Sequence, residues 1–170
     1  MRTLLCSSVD ANYRDLRFYG VPLMGAAWSG HTDVARTLCK YMADVNTVSL
    51  TKRRTSLIIA AMLANIDMVE FLVEEKARVD IVDGLGYTAV SMAIAHGKKD
   101  IAKYLLSIGA PLGEAALRVA VNSESSDMVR LVLEHEPSRR NDRDQMQEAR
   151  TLAVELDLSD IVDILDASES

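Results

Sequence analysis

Residues 55–80 read TSLIIAAMLANIDMVEFLVEEKARVD, and the same arrangement occurs twice more in this chain of 170 residues. Residues 21–46 read VPLMGAAWSGHTDVARTLCKYMADVN, and residues 88–113 read TAVSMAIAHGKKDIAKYLLSIGAPLG. Equivalent apolar segments begin at Ala26, Ala60, Ala93, Ala120 and Ala153, at spacings of 34, 33, 27 and 33 residues. Such a repeat predicts a stack of short units, and each unit of such a stack buries its apolar face only against its neighbours.

The second apolar segment of each unit has the spacing of a helix with one buried face. The positions i, i+4 and i+5 are occupied by Val34, Leu38 and Cys39, then by Met68, Leu72 and Val73, then by Ile101, Leu105 and Leu106. Gly30 and Gly97 follow the first helix of their units, where a left-handed residue commonly ends a helix. Asn65 lies beside Ala64, where that glycine would be, so we expect a slightly poorer helix end there. The pattern predicts an all-α solenoid.

The three stretches resemble the ankyrin repeat, whose pattern runs T-P-L-H-x-A-A, then G-H, then V-x-x-L-L, then G-A-D-V-N. The resemblance implies helix-turn-helix units joined by short hairpin fingers, with Thr55 capping a first helix and His31 in a structural hydrogen bond. We expect a single ankyrin-repeat domain over residues 1–170, with units at 21–46, 55–80, 88–113, 115–135 and 142–166. The last two are degenerate: three residues between Leu112 and Ala116 leave no room for a finger, and acidic residues suit the last unit to a terminal cap.

The N-terminal residues 1–12 align with the end of a unit whose first helix is absent. Counting back one full repeat from Asn46 gives Asn12, and the same step from Leu38 gives Leu4. These residues are either frayed or a partial unit of a longer array. In the second case Leu23 and Leu38 lie beneath only a fragment of a preceding unit, and such an apolar face favours self-association.

Composition favours an intracellular protein, cytoplasmic or nuclear. Cys6 and Cys39 are too few for a disulfide framework, and Cys39 occupies a core position where we expect a buried thiol. The longest apolar run, residues 57–64, is much shorter than the roughly 20 residues needed to cross a bilayer. The N-terminus lacks the apolar core of a secretory signal. We therefore expect no contact with a membrane.

The charges divide unevenly along the chain. The net charge is −6, but residues up to Arg54 carry +4 and the remainder −10. One short basic run in an acidic protein cannot neutralise many phosphates, so nucleic acid is not an expected partner.

The sequence contains none of the catalytic or metal-binding motifs that we searched for. His31, His96 and His135 lie in different units, and none has a cysteine or carboxylate at metal-ligand spacing. The motifs G-x-x-x-x-G-K-[ST], G-x-S-x-G and H-E-x-x-H are absent. We predict neither catalytic activity nor a metal or cofactor.

The resemblance implies that fingers and first helices line one concave, partner-binding groove. By position, the first finger (residues 12–21) contributes Arg14, Leu16, Arg17, Phe18 and Tyr19, and the second finger (residues 46–55) contributes Leu50, Lys52, Arg53 and Arg54. The third finger (residues 80–88) contributes Leu85 and Tyr87, and the first helices contribute Trp28, Met62, Leu63 and His96. Trp28 is either an exposed binding anchor or packs flat against Met62 or Leu63. Arg53 and Arg54 are either solvated finger residues or contacts for an acidic partner.

These residues predict a non-catalytic protein-binding module. The expected partner is a peptide or loop that carries apolar anchors and acidic residues. Two alternatives remain: a small regulatory ankyrin protein that inhibits an enzyme such as a kinase, and an adaptor segment of a longer chain with many repeats.

Overall fold

A computed structural model describes residue 12, residues 21–135 and residues 143–168 of the chain. Within these ranges it contains ten helices and no strand. In chain order they are α1 (Pro22–Ser29), α2 (Thr32–Lys40), α3 (Ser56–Met62), α4 (Ile66–Glu74), α5 (Ala89–Ala95), α6 (Lys99–Ser107), α7 (Ala116–Asn122), α8 (Ser126–His135), α9 (Arg143–Glu155) and α10 (Ser159–Ser168). The chain forms two compact units, each built from several repeats, one ending at Ala89 and the other beginning at Val90. These are called the first unit and the second unit below, and a single helix pair is called a repeat.

The helices of each unit pack in pairs, as the apolar spacing predicts. In the first unit α1 packs against α2 and α3, α3 against α4, and α2 against α4. Every residue of α3 is buried, because its sequence SLIIAAM is almost wholly apolar. In the second unit α7 packs against α8 and α9, while α10 packs against α8 and α9. The predicted all-helical fold of paired repeats is confirmed.

The predicted left-handed helix ends are confirmed. Gly30 has φ 72° and Gly97 has φ 66°, and Ala64 adopts φ 63° at the corresponding place. Ala64 therefore takes a conformation that a Cβ disfavours. The cap at Thr55 is also confirmed, since its hydroxyl oxygen accepts a hydrogen bond from the Ile58 amide at 3.2 Å.

Two loops of the first unit, residues 49–54 and 83–87, are the second and third fingers. The Ser49 amide donates to the Arg54 carbonyl oxygen at 2.8 Å, and the Asp83 amide donates to the Tyr87 carbonyl oxygen at 2.9 Å. The fingers are joined because the Gly84 amide donates to the Lys52 carbonyl oxygen at 2.7 Å. A Cβ on Gly84 would lie 3.2 Å from that oxygen, so this close approach favours glycine.

Asparagine side chains connect successive repeats at two equivalent positions. Asn12 Oδ1 accepts from the Asp44 amide at 2.7 Å, and its amide nitrogen donates to the Met42 carbonyl oxygen at 3.1 Å. Asn46 Oδ1 accepts from the Arg78 amide at 2.7 Å in the same way. These bonds support the alignment of Asn12 with Asn46. Residues 1–11, which carry the rest of the predicted partial unit, lie outside the described part of the chain.

Two side chains, Cys39 and His31, depart from expectation. Cys39 is half-buried and not fully enclosed in the core. Leu23 and Leu38 are buried, with exposed fractions of 0% and 4%, and self-association through the N-terminal face stays a prediction. His31 is exposed at the start of α2, and its side chain makes no capping hydrogen bond. Among the described helices, none is long and apolar enough to cross a membrane.

Candidate functional site

The first unit contains a cavity of about 340 Å³ beside α1, the second finger and α3. It is lined by Met24, Gly25, Trp28, Ser29, Ser49, Thr51, Lys52, Arg54 and Ile59. Three of the residues predicted from sequence, Trp28, Lys52 and Arg54, are therefore brought together. The volume falls in the lower part of the range of about 300–1,000 Å³ that is usual for ligand pockets.

The cavity combines an apolar surface with hydroxyl groups and positive charge. Met24 and Ile59 are buried in their helices, whereas Trp28 has half of its surface exposed, at 50%. A half-exposed indole beside apolar side chains is a typical contact for a partner, because it offers a large apolar area. Lys52 is exposed.

Arg54 is a paired finger residue, so the alternative of a solvated side chain does not apply to it. Its side chain is 16% exposed, and its Nε lies 3.2 Å from Oδ2 of Asp83, whose side chain is 1% exposed. Its Nη1 lies 3.4 Å from the sulfur of Met62. Arg54 therefore holds the second finger to the third finger while it also lines the cavity.

Both carboxylate oxygens of Asp83 have partners in this arrangement. Besides the ion pair from Oδ2, its Oδ1 accepts hydrogen bonds from the Leu85 amide at 2.8 Å and the Tyr87 amide at 3.1 Å. The carboxylate thus shapes the third finger and neutralises Arg54. A buried charge is tolerated when it is paired and hydrogen-bonded in this way.

Lys52 and Arg53 differ from Arg54. Both are exposed, and within the described residues neither has an acidic side chain at ion-pair distance. Arg53 has φ 53° in the turn of the second finger and does not line the cavity. Lys52 is thus the cation at the cavity that the described residues leave without a carboxylate.

The remaining predicted contacts do not line this cavity. Met62 is wrongly predicted as a groove residue, because it is only 9% exposed. Leu50, Leu63 and Leu85 are exposed, at 51%, 40% and 74%, and Tyr87 is half-buried. His96 lies in the second unit, exposed, with its Nδ1 3.0 Å from the Met92 carbonyl oxygen. The residues predicted from the first finger lie outside the described part of the chain: Arg14, Leu16, Arg17, Phe18 and Tyr19.

The prediction missed several lining residues, although the repeat contained a signal for two of them. Gly25 and Ile59 occupy the same place in successive repeats, one before each alanine pair. Gly25 is also three positions before Trp28, and residues at that spacing share a helix face. Met24, Ser49 and Thr51 carry no comparable signal, since their approach depends on how the second finger folds back.

The described residues hold no group of three or more histidine, cysteine or acidic side chains that could bind a metal ion. The pKa of the Cys39 thiol is raised, first by burial and then by the nearby charge of Glu75. The first-unit cavity presents an apolar surface and the cation of Lys52, and this combination suits noncovalent binding of a partner.

Comparison of the sequence with known proteins and protein families agrees with the paired-helix architecture. A family model described as ankyrin repeats, in three copies, matches residues 23–113, and the chain belongs to this family. Ankyrin repeats form a protein–protein interaction module. The chain is 30% identical over 142 residues to the Ankyrin repeat and SAM domain-containing protein 6 of Mus musculus, which covers 74% of this chain and 16% of that protein.

A second relative is the protein of the same name from Rattus norvegicus. It is 36% identical over 92 residues, which is 52% of this chain and 10% of that protein. The chain therefore spans about a sixth or less of the length of these relatives.

Proposed function

We propose that this protein is a non-catalytic interaction module that binds a partner peptide or loop at the first-unit cavity. The observation that carries the proposal is a half-exposed Trp28 lining the same cavity as the exposed Lys52. Aromatic residues that fill or line pockets dominate the binding energy of many protein interfaces. In this proposal Trp28 is the anchor, and the groove extends along both fingers.

The charges indicate the chemistry of the partner. Lys52 and Arg53 attract acidic residues, and Leu50, Leu63 and Leu85 offer exposed apolar contacts near the fingers and the end of α3. The partner segment would therefore carry apolar side chains and carboxylates, in an intracellular compartment. Charged pairs at the rim mainly accelerate and orient association, whereas the apolar anchor supplies most of the affinity.

An adaptor segment of a longer protein is the second candidate. It is favoured because the chain matches only part of the relatives, whose name includes a SAM domain besides ankyrin repeats. Inhibition of an enzyme such as a kinase by a bound ankyrin surface is a further form of the same binding role. The binding module, the adaptor segment and the enzyme inhibitor would each bind a partner protein. They differ in the consequence of that binding.

Affinity capture from lysate tests the proposal. The variant Trp28→Ala/Lys52→Glu/Arg53→Glu removes the anchor and reverses both exposed finger charges, while Arg54 is kept because it is paired with Asp83. The matched control Tyr41→Ala/Lys40→Glu/Lys76→Glu changes one exposed aromatic residue and two exposed lysines elsewhere in the first unit. Quantitative mass spectrometry compares the captured proteins, and calorimetry with a purified captured protein measures direct binding.

We expect the cavity variant to lose the main partners and the control variant to retain them. Helical circular dichroism and melting of both variants are expected to stay close to wild type, because all six residues are exposed. The proposal is contradicted if the cavity variant, folded as wild type, captures and binds the same partners with unchanged affinity.

A further inference from the structure

We propose that the first-unit cavity selects a partner side chain with an apolar body next to a single negative charge, and that Asp83 sets this selectivity by neutralising Arg54. The proposal rests on the function proposed above, since it concerns the same cavity. It adds the chemical class of the group that enters the cavity and a residue that acts from outside the contact surface.

The apolar requirement follows from the side chains around the cavity. Trp28 lines the cavity and is half-exposed, and Met24 and Ile59 line it from α1 and α3. Placing an apolar group against them removes hydrocarbon surface from water, which is worth roughly 25 cal/mol per Å². A volume of about 340 Å³ admits one large side chain, not a folded element.

The single charge follows from pairing. Two cations line the cavity, but the Arg54 guanidinium is 3.2 Å from the buried Asp83 carboxylate, whereas Lys52 has no carboxylate partner among the described residues. The net charge of these three groups is therefore +1. A ligand with one negative charge is matched to this site, and without Asp83 the same cavity would present two positive charges.

Asp83 is a positioning residue because it does not line the cavity and acts through Arg54. Its two oxygens have separate tasks. Oδ2 pairs with Arg54, and Oδ1 holds the Leu85 and Tyr87 amides. Asp83→Asn retains an acceptor oxygen for the two amides and removes the negative charge, so it separates the electrostatic task from the structural one.

Two fluorescent probes that differ in one charge test the proposal. Anilinonaphthalene sulfonate has an apolar aromatic body and one sulfonate, and phenylnaphthylamine has the same body without the charge. Both accept excitation energy from tryptophan, and Trp28 is the single tryptophan of the chain. Energy transfer therefore reports binding near Trp28 and gives the dissociation constant of each probe.

The wild-type chain is expected to bind the anionic probe about 3- to 10-fold more tightly than the neutral probe, a ratio that one partly screened charge can supply. Lys52→Gln and Arg54→Gln should each reduce that ratio, and Asp83→Asn should increase it by a similar factor. The double variant Arg54→Gln/Asp83→Asn restores the net charge of +1 and should return the ratio to the wild-type value. Lys76→Gln, a change of an exposed lysine outside the cavity, should leave it unchanged.

Opposite effects of Arg54→Gln and Asp83→Asn are the decisive result. A merely structural role for the pair would shift both probes together in the same direction. The proposal is overturned by equal binding of both probes to wild type, by absence of energy transfer, or by a ratio in the Asp83→Asn variant that stays constant or falls. If that variant does not fold, the same decision rests on Arg54→Gln and the double variant.

The outcome is separable from that of the proposed function. Partner capture that depends on Trp28 without probe selectivity overturns only the charge inference. Probe selectivity together with capture that ignores the cavity variant overturns only the proposed function.

Discussion

Ala64 adopts a left-handed conformation that Gly30 and Gly97 adopt at the corresponding places of other repeats. A Cβ in this conformation costs roughly 1–2 kcal/mol, while glycine costs about 0.5–1 kcal/mol in lost chain entropy. We therefore predict that Ala64→Gly raises the free energy of unfolding by up to about 1 kcal/mol. Urea denaturation of this variant and of the wild type measures the change.

The two natural glycines provide controls for that prediction. Gly97→Ala should cost about 1 kcal/mol from backbone conformation alone, because no other group lies within 4 Å of the added Cβ. Gly30→Ala should cost more, since its Cβ would lie 2.9 Å from the Asn65 side-chain nitrogen. A lower stability for Ala64→Gly than for wild type would contradict the strain argument.

Cys39 gives a second prediction at the same scale. Partial burial, and secondly the charge of Glu75, raise the pKa of its thiol and reduce the thiolate available at a given pH. We expect iodoacetamide to modify Cys39 more slowly in the folded protein than in urea, with the rate rising at a higher pH. Peptide-resolved mass spectrometry measures the rate separately from Cys6, and Glu75→Gln should accelerate it. Equal rates in both states at every pH would refute the prediction.

The pairing of Arg54 shows where residue-level prediction stops. The repeat places Arg54 in a finger, but its partner Asp83 is 29 residues later and belongs to the next finger. Only the approach of the two fingers, through the Gly84 amide and the Lys52 carbonyl oxygen, brings the charges together. Lys52 and Arg53 are adjacent to Arg54 in sequence, and nothing local distinguishes the paired cation from its exposed neighbours.

The helices were predictable because their apolar spacing and their end signals agree. Thr55, Gly30 and Gly97 all act as the sequence indicates. The exposure of single helix positions was less predictable. Trp28 and Met62 each follow an alanine pair, yet Trp28 is 50% exposed and Met62 only 9%. Arg54 contacts the Met62 sulfur from the second finger. The two residues therefore differ in exposure although they occupy the same position of their repeats, because a contact from outside the helix covers Met62.

The cap of α3 yields a prediction for an element. Thr55 is buried, and its hydroxyl satisfies the Ile58 amide at the start of a helix that is buried along its whole length. Thr55→Ala should lower the free energy of unfolding by about 1–2 kcal/mol, because the buried amide loses its acceptor. Thermal and urea unfolding measure the loss.

Two further variants make that measurement specific. Thr55→Ser keeps the hydroxyl and should recover most of the stability, whereas Thr51→Ala, at an exposed finger position, should change it by less than about 0.5 kcal/mol. If Thr55→Ser is as damaging as Thr55→Ala, the methyl packing of the threonine matters more than the cap.

Polar links between repeats differ between the two compact units. The first contains the buried Arg54–Asp83 pair and the Asn46 bond to the Arg78 amide. The ion pairs described in the second are all at least partly exposed: Lys99–Asp127, Arg118–Glu148 and Arg150–Asp166. Exposed pairs contribute about 0–1 kcal/mol each and are screened by salt.

Hydrogen exchange along the chain should reflect this difference. The stability of a repeat protein is roughly a sum of unit and interface terms, so weakly linked repeats open first. The connection before α7 is short, with Glu114 and Ala115 in a turn, whereas a hydrogen-bonded finger precedes α3. We therefore predict faster exchange for the Leu131 amide in α8 than for the Leu72 amide in α4, although both side chains are buried. Added salt should increase the difference between the two exchange rates, because it weakens the exposed ion pairs. Equal protection of the two amides at low and high salt would show that fingers and polar links do not control opening.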